Sequence, residues 1–220
     1  MAFYDIISLI FFIGSDHMTL PNKLTLARII ALPAMVTVAC IPYLRDNTIF
    51  AFDGGYLTYA NFINFIIFIL ASVTDFLDGY IARKYNLVTT FGKFADPLAD
   101  KMLVLTSFLI LMTQGLTVAG WPGELSITPL WAVAIILIRE LMVSGIRLVA
   151  AQKGEVIAAG WAGKVKTFVT MIALIFVFLA TLHVAVAIIA LVLVYISVFL
   201  TVYSGVVYFI KAKEMLLESV

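Results

Sequence analysis

The chain has 220 residues, 64% of them hydrophobic and 12% charged, with a net charge of +1 and a mean hydropathy of +1.13. Apolar content this high, carried in runs of about 20 residues, excludes an ordinary soluble domain and a disordered chain and marks a polytopic membrane protein. The near-zero net charge gives no field for nucleic acid, and the single cysteine, Cys40, excludes an intrachain disulfide.

The opening MAFYDIISLIFFIGSDHM has an apolar stretch too short to span a bilayer and no Lys or Arg before Lys23, so it is a poor secretory signal. Residues 1–17 read either as a cloning remnant, because GSDHM has that look and Met18 would then be the natural start, or as a short interfacial helix. Residues 18–220 read as one domain. Apolar runs predict six spans, at about Leu24 to Leu44, Tyr59 to Tyr80, Asp96 to Ala119, Pro129 to Ala150, Gly163 to Leu182 and Val184 to Ile210. The expected fold is therefore an all-α membrane protein, a six-helix transmembrane bundle. The breaks RDNTIFAFDGG and GWPGELSITP are rich in turn residues and read as loops.

Placing the N-terminus in the cytoplasm puts thirteen of the fourteen Lys and Arg on the inner side and leaves only Arg45 outside. His183 falls at an outer turn and reads as interfacial, as do Trp121, Trp131 and Trp161.

The second and third spans meet at SVTDFLDGYIARKYNLVTTFGKFADPLADK, which carries Asp75, Asp78, Asp96 and Asp100. Asp75 and Asp78 are three apart and share a helix face with Gly79 and Ala82; Asp96 and Asp100 are four apart at the start of the next span. There Pro97 is tolerable, because a first turn has amides to spare. A short connection lets antiparallel neighbours bring all four carboxylates together. One aspartate alone would be a cap, Gly79 alone a packing residue and DP alone a helix start. Four anions sharing one pocket repel unless cations intervene, and hard divalent ions take such oxygen ligands. Two Mg²⁺ or Mn²⁺ ions would hold the set ionised.

Asp75, Asp78, Gly79, Ala82, Arg83, Gly92, Asp96 and Asp100 occupy every position of a D-x-x-D-G-x-x-A-R, eight residues, G-x-x-x-D-x-x-x-D motif. In this the chain resembles the CDP-alcohol phosphatidyltransferase family. PNKLTLAR at 21–28, RELMVSGIR at 139–147 and GKVKT at 163–167 extend the resemblance to its bacterial glycerol 3-phosphate-using members, from about Pro21 to Ile210. The resemblance implies a six-helix fold, a homodimer, and a site facing the cytoplasm in the bacterial inner membrane. It implies transfer from CDP-diacylglycerol to sn-glycerol 3-phosphate, giving phosphatidylglycerophosphate and CMP in anionic phospholipid biosynthesis. It makes Asp75, Asp78 and Asp96 the principal ligands of two divalent cations, with Asp100 beside the second ion and acting as general base. Donor contacts then fall to Asp75, Gly79, Ala82 and Arg83, joined by Asn22 and Thr25. Acceptor contacts fall to Arg28, Arg139, Arg147, Lys164 and Lys166.

Charge supports an anionic acceptor independently. Arg139, Arg147, Lys164 and Lys166 sit in the inner half of the bundle, where burying cations without an anion is expensive, and Glu140 can neutralise only one. The alternative is that Arg147, Lys164 and Lys166 snorkel to lipid headgroups. Two other functions stay open here: a sister transferase using inositol phosphate, serine or another alcohol, and an ion-coupled transporter, which also needs intramembrane acids and bases.

Overall fold

The structure, a computed structural model, describes residues 19–52, 55–84, 90–118, 125–152 and 160–217. Helix α1 runs Leu20–Cys40, α2 Pro42–Asp46, α3 Tyr59–Lys84, α4 Thr90–Thr113, α5 Leu130–Gln152, α6 Trp161–Phe178 and α7 Val184–Leu217. A 3-10 turn at Ala180–Leu182 joins α6 to α7. Among the described residues, three stretches are long and apolar enough to cross a membrane on length and composition: Pro21–Cys40, Trp161–Leu182 and Val184–Lys213. The helices α3, α4 and α5 occupy the other expected spans, but their charged residues dilute the apolar signal.

Two expectations need correction. The break RDNTIFAFDGG is not all loop: Thr48–Phe52 (β1) and Gly55–Thr58 (β2) pair antiparallel, so the fold is helical with one hairpin added. The aromatic and β-branched residues of TIFAF and GYLT suit a pleated surface, and that local preference outweighed the turn signal. Helix α4 begins at Thr90, so Pro97 lies inside the helix and not in its first turn. A proline there leaves the carbonyl one turn earlier without its helical N–H partner.

The helices pack through small residues. Ala60, Ala99, Ala132, Ala173, Ala190 and Ala212 are fully buried, and in a lipid environment such residues let backbones approach closely enough for dispersion to hold them. Phe68, Phe108, Phe178, Leu174 and Ile136 fill the centre, with the Phe68 and Phe178 rings 5.8 Å apart. Large apolar side chains such as Leu141, Phe168, Phe199 and Ile210 point outward, as a lipid-facing surface requires. Helix α1 packs on α3 and α4, α5 on α7, and α6 along α7. These contacts bring PNKLTLAR against the aspartate-bearing helices, and RELMVSGIR against the last helix.

Candidate functional site

Helix α1 begins early enough to include the whole of PNKLTLAR, so Asn22, Thr25 and Arg28 recur every three residues on one face. All three are buried. The Thr25 hydroxyl donates to Asp96 Oδ1 at 2.5 Å. Arg28, with a fully buried side chain, places Nη1 2.9 Å from Asp75 Oδ1 and 2.8 Å from Asp100 Oδ1. One helix face therefore ties together three of the four aspartates across two neighbouring helices. The side chains of Asp78, Gly79, Ala82, Arg83 and Gly92 lie outside the described residues; their backbone belongs to α3 and α4.

A cavity of about 510 Å³ opens beside this cluster. Asp75 of α3 and Asp100 of α4 line it together with Arg139 and Arg147 of α5 and Lys164 and Lys166 of α6. Four of the five cations selected from the sequence as acceptor contacts thus share one wall system with two of the selected aspartates. Arg28 stands against the aspartates and does not line the cavity.

The cations are of two kinds. Lys166 is buried and donates to Glu140 Oε1, and Arg139 Nη1 reaches the same oxygen at 3.2 Å. With a single charge Glu140 can neutralise only one cation, as the sequence implied, but it contacts two. It can do so because α6 brings Lys166 to a carboxylate whose sequence neighbour is already Arg139. Arg147 and Lys164 are exposed, which leaves their donors available to an entering anion. The snorkelling alternative does not describe Lys166, whose ammonium turns inward.

Sequence reasoning missed three contributors, Lys101, Ser204 and Tyr208. Lys101 and Glu140 also line the cavity, and Lys101 Nζ donates to the Ser144 hydroxyl. Ser204 and Tyr208 come from α7: Arg139 Nη2 donates to Ser204 Oγ at 3.0 Å, and Arg147 Cζ lies 5.5 Å from the centre of the Tyr208 ring. Lys101 is legible in principle, being adjacent to Asp100; the serine and the tyrosine carry no local signal. His183 has an N-terminal capping role, its Nδ1 accepting from the Ala185 amide at 3.1 Å. Trp131 and Trp161 are exposed, as interfacial rings would be, and Trp121 lies outside the described residues.

Among the described residues, no three acidic, histidine or cysteine side chains form a closed metal-binding group. The donor set nevertheless suits a hard cation. Two carboxylates from facing helices already converge on one positive nitrogen, and every candidate ligand is an oxygen.

The geometry can thus hold two charged partners side by side, one over the carboxylates and one among the cations. The CDP-alcohol phosphatidyltransferase family model matches residues 18–203. The chain is 41% identical over 205 residues to the CDP-diacylglycerol–glycerol-3-phosphate 3-phosphatidyltransferase of Bacillus subtilis strain 168, covering 91% of this chain and 98% of that protein. It is 35% identical over 198 residues to the enzyme of the same name from Rickettsia felis, covering 89% and 96%. It is 36% identical over 196 residues to a probable phosphatidylglycerophosphate synthase of Mycobacterium tuberculosis H37Rv, covering 88% and 81%. A match spanning the two aspartate helices, the cationic helices and α1 together leaves one conclusion: this chain belongs to the CDP-alcohol phosphatidyltransferase family.

Proposed function

We propose that the protein transfers a phosphatidyl group from CDP-diacylglycerol to sn-glycerol 3-phosphate, releasing CMP and forming phosphatidylglycerophosphate for phospholipid synthesis. The observation that carries this reading is that Asp75 and Asp100 line the same cavity as Arg139, Arg147, Lys164 and Lys166. Glu140 neutralises only one charge of the Arg139 and Lys166 pair, and Arg147 and Lys164 are exposed, so an uncharged acceptor would leave positive charge unbalanced, whereas a phosphomonoester brings nearly two negative charges and a free hydroxyl. Family membership and the names of the relatives support the same pair of substrates, and they leave the transporter reading without support.

Asp100 is assigned the general base. It accepts the proton of the acceptor hydroxyl as that oxygen bonds to the lipid-linked phosphorus, and the bond from that phosphorus to the CMP oxygen breaks, CMP keeping the electron pair. Arg28 holds Asp75 and Asp100 in register and Thr25 holds Asp96; we assign Arg28 this positioning role in place of an acceptor contact. Asp75, Asp78, Asp96 and Asp100 would hold two divalent cations, Mg²⁺ or Mn²⁺, whose charge offsets that of the pyrophosphate. Gly79 and Ala82 would leave room for the cytidine, Arg83 would contact donor phosphate, and Asn22 and Thr25 would border the donor. Arg147 and Lys164 would grip the acceptor phosphate, with Arg139 and Lys166 completing its pocket.

All six long helices would cross the bacterial cytoplasmic membrane, with the site on the cytoplasmic side and two chains forming a homodimer. The test is an acceptor panel with the purified protein, CDP-diacylglycerol and Mg²⁺, following CMP. Release with glycerol 3-phosphate and not with glycerol, serine, inositol or inositol phosphate is expected. Equal release with free serine or inositol would leave only the family assignment standing.

A further inference from the structure

We propose that one face of α7, formed by Ser204, Gly205 and Tyr208, positions the two arginines of α5 for the acceptor phosphate; this rests on the glycerol 3-phosphate reading above. All three residues stand behind the cavity wall and not in it. They act through Arg139 and Arg147, which do line it.

Ser204 Oγ accepts from Arg139 Nη2 at 3.0 Å and gives its own proton to the Thr201 carbonyl at 3.2 Å. The second bond fixes the rotation of the hydroxyl, so its lone pairs are already turned to the arginine. Gly205 comes next: a Cβ there would lie 3.2 Å from Arg139 Cγ, so the arginine stem runs across bare backbone. One turn further, the Arg147 guanidinium stacks over the Tyr208 ring, with Cζ 5.5 Å from its centre, a cation–π contact. Ser204 is 4% and Tyr208 5% exposed, so neither contact point moves freely.

The spacing gives this face its purpose. Arg139 and Arg147 are eight residues apart, about 12 Å along α5, while Ser204 and Tyr208 are four apart, about 6 Å along α7. Two arginines rooted about 12 Å apart on one helix reach the same phosphate only if their side chains are drawn together. The α7 face does this, and it fixes two long side chains that would otherwise lose rotamer freedom on binding. Among the described residues the buried Tyr208 hydroxyl has no hydrogen-bond partner. The ring, and not the hydroxyl, therefore carries the contact.

The full-length protein in detergent tests this through CMP release. Tyr208→Leu should raise the KM for glycerol 3-phosphate about three- to thirtyfold, the range of a cation–π contact. The inhibition constant of inorganic phosphate should rise in parallel, while the KM for CDP-diacylglycerol stays put. Tyr208→Phe keeps the ring and should retain wild-type values for all three. Ser204→Ala removes the Arg139 anchor without emptying the core, and should raise the acceptor KM even if Tyr208→Leu does not fold. The proposal is overturned if Ser204→Ala and a folded Tyr208→Leu both leave the acceptor KM and phosphate inhibition unchanged. It is equally overturned if Tyr208→Phe is as damaging as Tyr208→Leu, or if kcat and both KM values worsen together with the thermal midpoint. Should the wild-type protein release no CMP with glycerol 3-phosphate, the activity reading fails instead. Inorganic phosphate then tests the α7 face alone: it should raise the thermal midpoint of the wild type and Tyr208→Phe but not that of Tyr208→Leu. An equal response of all three proteins refutes it.

Discussion

Arg28 and Asp100 meet at 2.8 Å at the edge of a cavity whose far members are cations, and that contact separates two kinds of mutational effect. Asp100→Asn keeps an oxygen for Arg28 but has no carboxylate to take a proton. It should retain CDP-diacylglycerol binding while turnover falls about 10²- to 10⁴-fold, the usual share of general base catalysis; near-native turnover at saturating substrates would remove Asp100 from that role. Arg147→Ala and Lys164→Ala delete exposed donors, each making charge-assisted bonds worth roughly 1.5 to 3 kcal/mol. The KM for glycerol 3-phosphate should rise about ten- to a hundredfold, with donor KM little changed. Steady-state kinetics with each substrate varied in turn would reveal the opposite pattern. Residues such as these were legible in the sequence because helix periodicity alone puts Asp75 beside Asp78, and Asp96 beside Asp100. Glu140 was only half legible: its pairing with Arg139 is local, but Lys166 arrives from another helix. Ser204 was not legible at all, since 65 residues separate it from Arg139 and a lone serine in an apolar helix has no pattern.

At the scale of elements, the hairpin and the helix joining α6 to α7 depend on each other through one glycine. A Cβ on Gly55 would lie 1.9 Å from the Leu182 carbonyl oxygen, so strand β2 rests directly on the backbone of the 3-10 turn. Neither partner is a flexible side chain that can step aside. Gly55→Ala should therefore push the hairpin off the turn and destabilise the protein by about 1 to 3 kcal/mol, as overpacking does. A lowered thermal midpoint with an unaltered acceptor KM is the expected signature, because the hairpin joins the start of α3 at Tyr59 and the cavity residue of that helix, Asp75, lies about 24 Å further along it; an unchanged midpoint would show that the two elements separate freely. The hairpin was hidden in the sequence because a five-residue strand beside DGG is outvoted by turn residues. Helix ends were hidden for a different reason. Hydropathy sees only the apolar middle of a helix, so α1 and α4 begin earlier, and α3 and α7 run later, than their apolar runs. That extra length matters, since it carries Asn22 in α1 and Arg83 in α3 onto helices.

The whole molecule poses a problem of sidedness. Helix α7 has 34 residues, about 51 Å at 1.5 Å per residue, against a hydrocarbon core of about 30 Å. It must emerge on at least one side, and its last turns carry Lys211 and Lys213. The expected topology puts the aspartates, the cations of the cavity and every Lys and Arg except Arg45 on that same side; Arg45 is exposed and paired to Asp46 at 2.8 Å. Leaving positive charge in the cytoplasm is the strongest orienting force available to a short-looped bundle. Glycerol 3-phosphate is soluble and would have to reach the site from the cytosol, while CDP-diacylglycerol would offer its head group from the inner leaflet. Single cysteines introduced into a Cys40→Ser background can read this directly. Labels at Asp53 and Glu124 should react with a membrane-impermeant maleimide in intact cells, whereas labels at Lys93 and Lys153 should react only after the membrane is opened. If instead Lys93 and Lys153 label in intact cells, the cavity faces outward. The cytosolic acceptor would then have no route to Arg147 and Lys164, and the transferase reading would have to find its phosphate elsewhere.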